Sequence, residues 1–153
     1  MKIFIITICN KNDNYESLFV EKYEKLIKIF FEFELVNINF RTEKINKNIY
    51  KKEYNKAISM IKQNSIIVAL DEFGKLYRSQ QFSEKIKYWE ENCTNLYFFI
   101  GGPDGLSKDI LDRADQVISL SNLTFPHVLA KVILMEQIYR SKCIMNNHPY
   151  HRS

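Results

Sequence analysis

The last eleven residues, "CIMNNHPYHRS" from Cys143 to Ser153, bring His148, Tyr150, His151 and Arg152 close together in the chain. Imidazole moves protons near neutral pH, guanidinium holds phosphate, and a phenol ring stacks on a base. The cluster therefore has the groups for work on a nucleic acid. Chain ends are also where disorder concentrates, and this stretch carries neither helix nor strand periodicity. The expectation is a tail that is loose in the free protein and ordered by its substrate. His148, His151 and Cys143 could suggest a metal, but Pro149 keeps the segment extended and no set of four ligands is visible, so no metal is expected.

The second candidate is "GGPDGLS", Gly101 to Ser107. The chain has only four glycines, Gly74, Gly101, Gly102 and Gly105, and each follows an apolar run. Glycine lets a backbone turn sharply or approach a ligand closely, so this loop is either a ligand loop or a tight turn before a helix. It lacks the Gly-Lys-Ser/Thr of a phosphate-cradling loop and the GxGxxG of a dinucleotide site. A third candidate, "SLSNLTFPH" from Ser119 to His127, mixes hydroxyl and amide groups with the apolar walls of Leu123 and Phe125, as a small-molecule site requires; its bland alternative is a helix cap. His127 is either a capping or a functional histidine. Asp71 and Glu72 form a carboxylate pair suited to acid/base work or to capping a turn.

These loops need elements to carry them. "IFIITI" (Ile3 to Ile8), "ELVNI" (Glu34 to Ile38), "SIIVAL" (Ser65 to Leu70), "NLYFFI" (Asn95 to Ile100) and "QVISL" (Gln116 to Leu120) are short apolar or β-branched runs, predicting strands covered on both faces. Between them, Leu18, Phe19, Tyr23, Leu26, Ile27 and Phe30 recur at helical spacing, as do Tyr50, Tyr54, Ala57, Ile58 and Ile61. Ser79 is the expected N-cap of a helix to about Glu91 with Phe82, Ile86 and Trp89 inward. Ser107 is expected to cap a short helix, and Pro126 to open a last one reaching about Ile144. That last helix carries "VILM", apolar all round, which predicts burial on more than one side, in the core or at a subunit interface. "DEFGK" reads as a polar turn and "NFRTEKINKNIYKK" as a solvent-facing connection. Alternation of strand and helix predicts an α/β fold around a mostly parallel sheet.

With 153 residues, 46% hydrophobic and 26% charged, the chain suits one globular domain, residues 1–153. Its net charge of +4 suits a polyanionic partner but is too small to hold naked RNA tightly. The three scattered cysteines, Cys9, Cys93 and Cys143, indicate no disulfide framework, and the first apolar run is too short to span a membrane, so a reducing cytoplasm is the expected location.

"LDEFGK", "FFIGGPDGLSKDILDRAD", "ISLSNLTFPHVLAKVILMEQIYR" and "NHPYHR" together resemble the RlmH family, the ribosomal large subunit pseudouridine methyltransferases of the SPOUT class. With "KIFIITI" the resemblance covers essentially the whole chain. It implies a C-terminal trefoil knot, a homodimer packed through the last helix, and S-adenosyl-L-methionine as cofactor. The implied reaction is methylation of N3 of pseudouridine 1915 in 23S ribosomal RNA on the assembled ribosome. Carried over by position, the cofactor pocket would use Leu70, Gly101, Leu120, Ser121, Asn122, Leu123, Thr124 and Phe125. His151 or Tyr150 would handle the N3 proton or orient the base, and Arg152 would contact phosphate. The chain departs from the family pattern at Phe73, Arg78 and Lys131, where arginine, serine and arginine are common. The alternative is a non-catalytic ribosome-binding module on a degenerate methyltransferase fold; a generic nucleotide-binding α/β protein is disfavoured by the missing phosphate motif.

Overall fold

The computed structural model describes residues 1–9, 17–39, 55–102 and 105–151. Five strands, β1 (Lys2–Cys9), β2 (Glu32–Asn39), β3 (Ser65–Leu76), β4 (Asn95–Ile100) and β5 (Gln116–Ser119), form one sheet in the order β2-β1-β4-β3-β5, and every pairing is parallel. Parallel strands need crossovers. The helical elements are α1 (Ser17–Ile27), α2 (helical residues 55–59), α3 (Ser79–Asn92), α4 (Lys108–Arg113) and α5 (His127–Met145).

Both faces of the sheet are covered, which explains why its strands do not alternate apolar and polar residues. On one face Ile3, Ile5, Val68, Leu96, Phe98 and Ile118 pack against α1, α3 and α5. On the other, Phe4, Ile6, Tyr97 and Phe99 meet Ala57 of α2 and Ile110 of α4. Trp89 is buried edge-on between Phe82 and Phe98, at ring separations of 6.2 and 6.0 Å. The α/β architecture with a parallel sheet is as expected, and so are the inward positions of Phe82, Ile86 and Trp89.

Several local expectations need correction. The "DEFGK" turn is part of a longer β3: Leu70 and Lys75 both pair with Ile118, so residues 71–74 bulge outward and the strand then resumes. Gly74 makes this possible, because a Cβ there would stand 2.4 Å from the Ile118 carbonyl carbon. Helix α1 keeps Tyr23 and Ile27 of the expected stripe on its inner side, but not Leu18 and Phe19. Val20, Ile27 and the following Phe31 point inward, whereas Leu18 and Phe19 are exposed; apolar residues lie on more than one side, so periodicity fits two rotations. Ser79 is the first residue of α3, not its cap, and its hydroxyl donates to Gln137 on α5 at 2.8 Å. Ser107 does occupy the N-cap position of α4, without a side-chain capping bond. Tyr50, Tyr54 and most of the basic connection lie outside the described residues.

Helix α5 turns Leu134, Met135 and Ile138 into the core, leaves Val132 and Ile133 half-buried, and exposes Leu129. It is tied to α3 by Lys142, whose ammonium lies 2.6 and 2.7 Å from the two Glu90 carboxylate oxygens, and by the Ser83 hydroxyl donating to the Ser141 carbonyl at 3.2 Å. These contacts place its two ends, and hence the loop before it and the tail after it.

Candidate active site

Strand register brings three of the expected pocket residues together. Leu70, the last residue of β3 before its bulge, lies opposite Ile100 on β4 and Ile118 on β5, so it stands along one edge with Gly101 and Leu120, which follow β4 and β5. All three are half-buried. Open parallel sheets bind ligands beyond this edge, so it is the candidate crevice.

Gly101 is held by sterics. A Cβ on it would meet the Gly105 carbonyl carbon at 2.3 Å and the Leu106 nitrogen at 2.6 Å, while Gly105 has φ +74° and donates its N–H to the Gly102 carbonyl at 2.9 Å. The glycines are thus explained by a closed turn that brings backbone to the rim of the crevice. The two readings of the loop, turn and ligand platform, are compatible.

Residues 120–125 form the opposite rim. The buried Ser119 hydroxyl donates to the Ser121 carbonyl at 2.7 Å, and the Ser121 Oγ accepts the Leu123 N–H at 2.9 Å. Thr124 Oγ1 donates to Glu72 at 2.7 Å, which ties this loop to the β3 bulge. Asn122, Leu123 and Thr124 are exposed and Phe125 is half-buried, so the rim offers an amide and apolar surface on a braced backbone. Asp71 Oδ1 accepts the Phe73 N–H at 2.9 Å. The carboxylate pair accordingly braces the bulge and the rim, the capping alternative, while Phe73 stands 91% exposed beside them. Ser119 opens the candidate loop named from the sequence but is not among the pocket residues the resemblance implies; its hydroxyl, two residues before Ser121 at a strand end, has the spacing of a side-chain-braced turn.

The tail is far from loose through His151. Asn147 adopts a left-handed φ of 51°, ending α5, and the His148 N–H then bonds to the Cys143 carbonyl at 2.8 Å. The chain reverses, and Tyr150 returns to the middle of α5. Its hydroxyl donates to Glu136 Oε1 at 3.0 Å and lies 3.4 Å from the Tyr23 hydroxyl of α1, and its ring packs edge-on against Tyr139 at 5.0 Å. Burial, then the hydrogen bonds to Tyr23 and Glu136, push the Tyr150 phenol well above the ordinary tyrosine range. His151 Nδ1 lies 3.4 Å from Arg140 Nη1. Arg152 lies outside the described residues.

One chain therefore carries two separate halves. Glu136 is nine residues beyond the start of α5, roughly 14 Å along its axis from the crevice loop. His127 is half-buried in the first turn of α5. The described residues contain no group of three or more His, Cys, Asp or Glu that could hold a metal, and no helix among them is long and apolar enough to cross a membrane.

Comparison with known proteins decides the family. The profile described as "Predicted SPOUT methyltransferase" matches residues 1–151. The chain belongs to this SPOUT methyltransferase family. It is 36% identical to the ribosomal RNA large subunit methyltransferase H of Marinomonas sp. (strain MWYL1), over 99% of this chain and 100% of that one. The protein of the same name from Legionella pneumophila (strain Paris) is 36% identical over 99% of both chains. That of Acidiphilium cryptum (strain JF-5) is 48% identical over a shorter match, 58% of this chain and 56% of its own. The parallel five-stranded sheet and the strand-end crevice are therefore features of a SPOUT family member.

Proposed function

We propose that this protein is an S-adenosyl-L-methionine-dependent methyltransferase acting on N3 of pseudouridine 1915 in 23S ribosomal RNA, within the assembled ribosome and as a homodimer. What carries the reading is the full-length likeness to relatives named ribosomal RNA large subunit methyltransferase H, joined to a crevice formed by Leu70, Gly101 and Leu120. The crevice residues suit the cofactor. Leu70, Gly101 and residues Leu120 to Phe125 include no cationic side chain and no phosphate-cradling motif, which fits an adenosine sulfonium, a ligand without phosphate. Leu123 and Phe125 would provide apolar walls, Ser121, Asn122 and Thr124 polar contacts, and the glycine turn backbone amides.

When bound, the cofactor supplies an electrophilic methyl group. The chain's own residues would have to hold N3 in line with that methyl group and take up the N3 proton. The Tyr150 hydroxyl, which donates to Glu136, would orient or stack on the base, and His151 or Tyr150 would handle the N3 proton; Arg152 would contact phosphate. The roughly 14 Å between crevice loop and docked tail supports a site completed by a second copy, and the exposed Leu129 near the start of α5 supports contact between copies.

Replacing Tyr150, His151 and Arg152 together by alanine is expected to abolish methylation of ribosomes while calorimetric affinity for S-adenosylmethionine changes by less than about twofold, since remote side chains act independently. Loss of cofactor binding would overturn this division of labour. Mass spectrometry of ribosomal RNA from cells lacking the protein decides the reaction itself: unchanged modification at the target would favour the non-catalytic ribosome-binding module.

A further inference from the structure

We propose that Glu136 and Arg140 are positioning residues that clamp Tyr150 and His151 in a fixed arrangement, so that the tail is presented to substrate as a rigid unit. This rests on the methyltransferase reading above. Glu136 Oε1 accepts the Tyr150 hydroxyl at 3.0 Å and two guanidinium nitrogens of Arg140 at 2.8 and 2.5 Å, while Oε2 accepts from Gln137 at 2.6 Å. A carboxylate with two oxygens is then engaged on both. The same guanidinium faces the Tyr150 ring, 4.9 Å from its centroid, and turns its remaining nitrogen toward His151 Nδ1 at 3.4 Å. One ion pair, a single helical turn apart on α5, thus touches both tail side chains.

The surroundings hold the pair itself in place. Gln137, which donates to Glu136, accepts from Ser79 on α3, Tyr139 of α5 packs edge-on against the Tyr150 ring, and the Tyr23 hydroxyl of α1 lies 3.4 Å from the Tyr150 hydroxyl. The tail backbone cooperates: the Tyr150 N–H donates to His148 Nδ1 at 3.1 Å and the His151 N–H to the His148 carbonyl at 3.2 Å. Such an assembly exceeds what is needed to cap a helix. It fixes a phenol and an imidazole relative to each other, which is what a methyl acceptor base held between them requires.

Arginine is needed for its fork. Two nitrogens bind Glu136 while the plane covers Tyr150 and the third nitrogen reaches His151, a set of contacts that a lysine ammonium cannot reproduce.

The test uses the intact dimer with ribosomes, the variants Glu136→Gln, Arg140→Ala and Arg140→Lys, and two measurements. Turnover at saturating S-adenosylmethionine is expected to fall about ten- to a hundredfold in each, the range for losing charged hydrogen bonds, with the KM for cofactor within about twofold. Digestion with carboxypeptidase, which needs no activity, is expected to release the C-terminal residues at least about tenfold faster than in the parent protein, because opening of the docked tail is governed by the same contacts. Tail release unchanged in Glu136→Gln and Arg140→Ala overturns the clamp, as does full recovery of turnover in Arg140→Lys. If the parent protein methylates nothing yet its tail is protected and the variants' tails are not, the clamp stands and the reaction assigned above falls.

Discussion

Substituting alanine at Gly101 adds one methyl group where the structure has no room for it. The new carbon would stand 2.3 Å from the carbonyl carbon and 2.6 Å from the oxygen of Gly105, and 2.6 Å from the Leu106 nitrogen. These are backbone atoms, so relief requires the turn itself to open rather than a side chain to rotate. Overpacking of this kind costs about 1–3 kcal/mol. If the turn must close again when ligand binds, that cost weakens S-adenosylmethionine binding by about 5- to 150-fold. Gly105 provides the contrast. Its φ is +74° and a Cβ there meets nothing within 4 Å, so Gly105→Ala carries only the left-handed backbone penalty of about 1–2 kcal/mol, and Gly105→Asn less. The assay is calorimetry with S-adenosylmethionine alongside urea unfolding of four variants, alanine and asparagine at each of Gly101 and Gly105. Expected is a ranking in which Gly105→Asn binds close to the parent protein and Gly101→Ala binds weakest, while Gly101→Asn is at least as damaging as Gly101→Ala. A Gly101→Ala protein with unchanged urea midpoint and affinity within about twofold of the parent would refute the steric reasoning and, with it, the placement of this turn at the cofactor.

Trp89 is the chain's only tryptophan and is 1% exposed between Phe82 and Phe98, so Trp89→Ala should destabilise the fold by about 3–5 kcal/mol and Trp89→Phe by far less, read from urea midpoints followed by far-ultraviolet circular dichroism. Alkaline titration at 295 nm should show Tyr150 ionising later than ordinary tyrosines, and Tyr150→Phe should reduce the late component by one phenol while leaving that of Tyr97 and Tyr139, which are also raised. The sign follows from linkage. A phenol whose folded pKa is raised from 10.0 favours the docked state fully below pH 10.0, and that stabilisation is lost as pH rises above it, so the tail should become sensitive to carboxypeptidase only in the alkaline range. Tail release that increases on acidification from neutrality, with the alkaline side flat, would contradict the assigned contacts.

The strands and their burial were legible because parallel strands between helix layers are apolar on both faces, as "IFIITI" and "NLYFFI" are. The residues proposed for the pocket were named from the sequence too, partly as glycine and polar runs at strand ends and as a full set only through the likeness of several ordered motifs to one family. Strand order was not. Nothing in the local pattern of Asn95 to Ile100 says that this strand enters between β1 and β3, since register and order arise from contacts distant in sequence. The face of α1 was legible in part: Tyr23 and Ile27 pack inward as expected, whereas Leu18 and Phe19 are exposed and Val20 is buried, because only packing against the sheet selects one rotation.

The two functional stretches divide in the same way. Composition and order of residues alone determined that the chain holds a glycine turn, a polar and apolar rim and a histidine–tyrosine–arginine tail, because these are properties of residue type. Only the tertiary structure decided that Leu70, Gly101 and Leu120 meet at one edge, and that Tyr150 returns to Glu136, Arg140 and Tyr23 instead of trailing into solvent. The physical reason is that a left-handed Asn147 just past α5 and the Glu136 carboxylate within it, fourteen residues before Tyr150, must act together to dock the tail, and that pairing exists only once α1 and α5 lie side by side on the sheet.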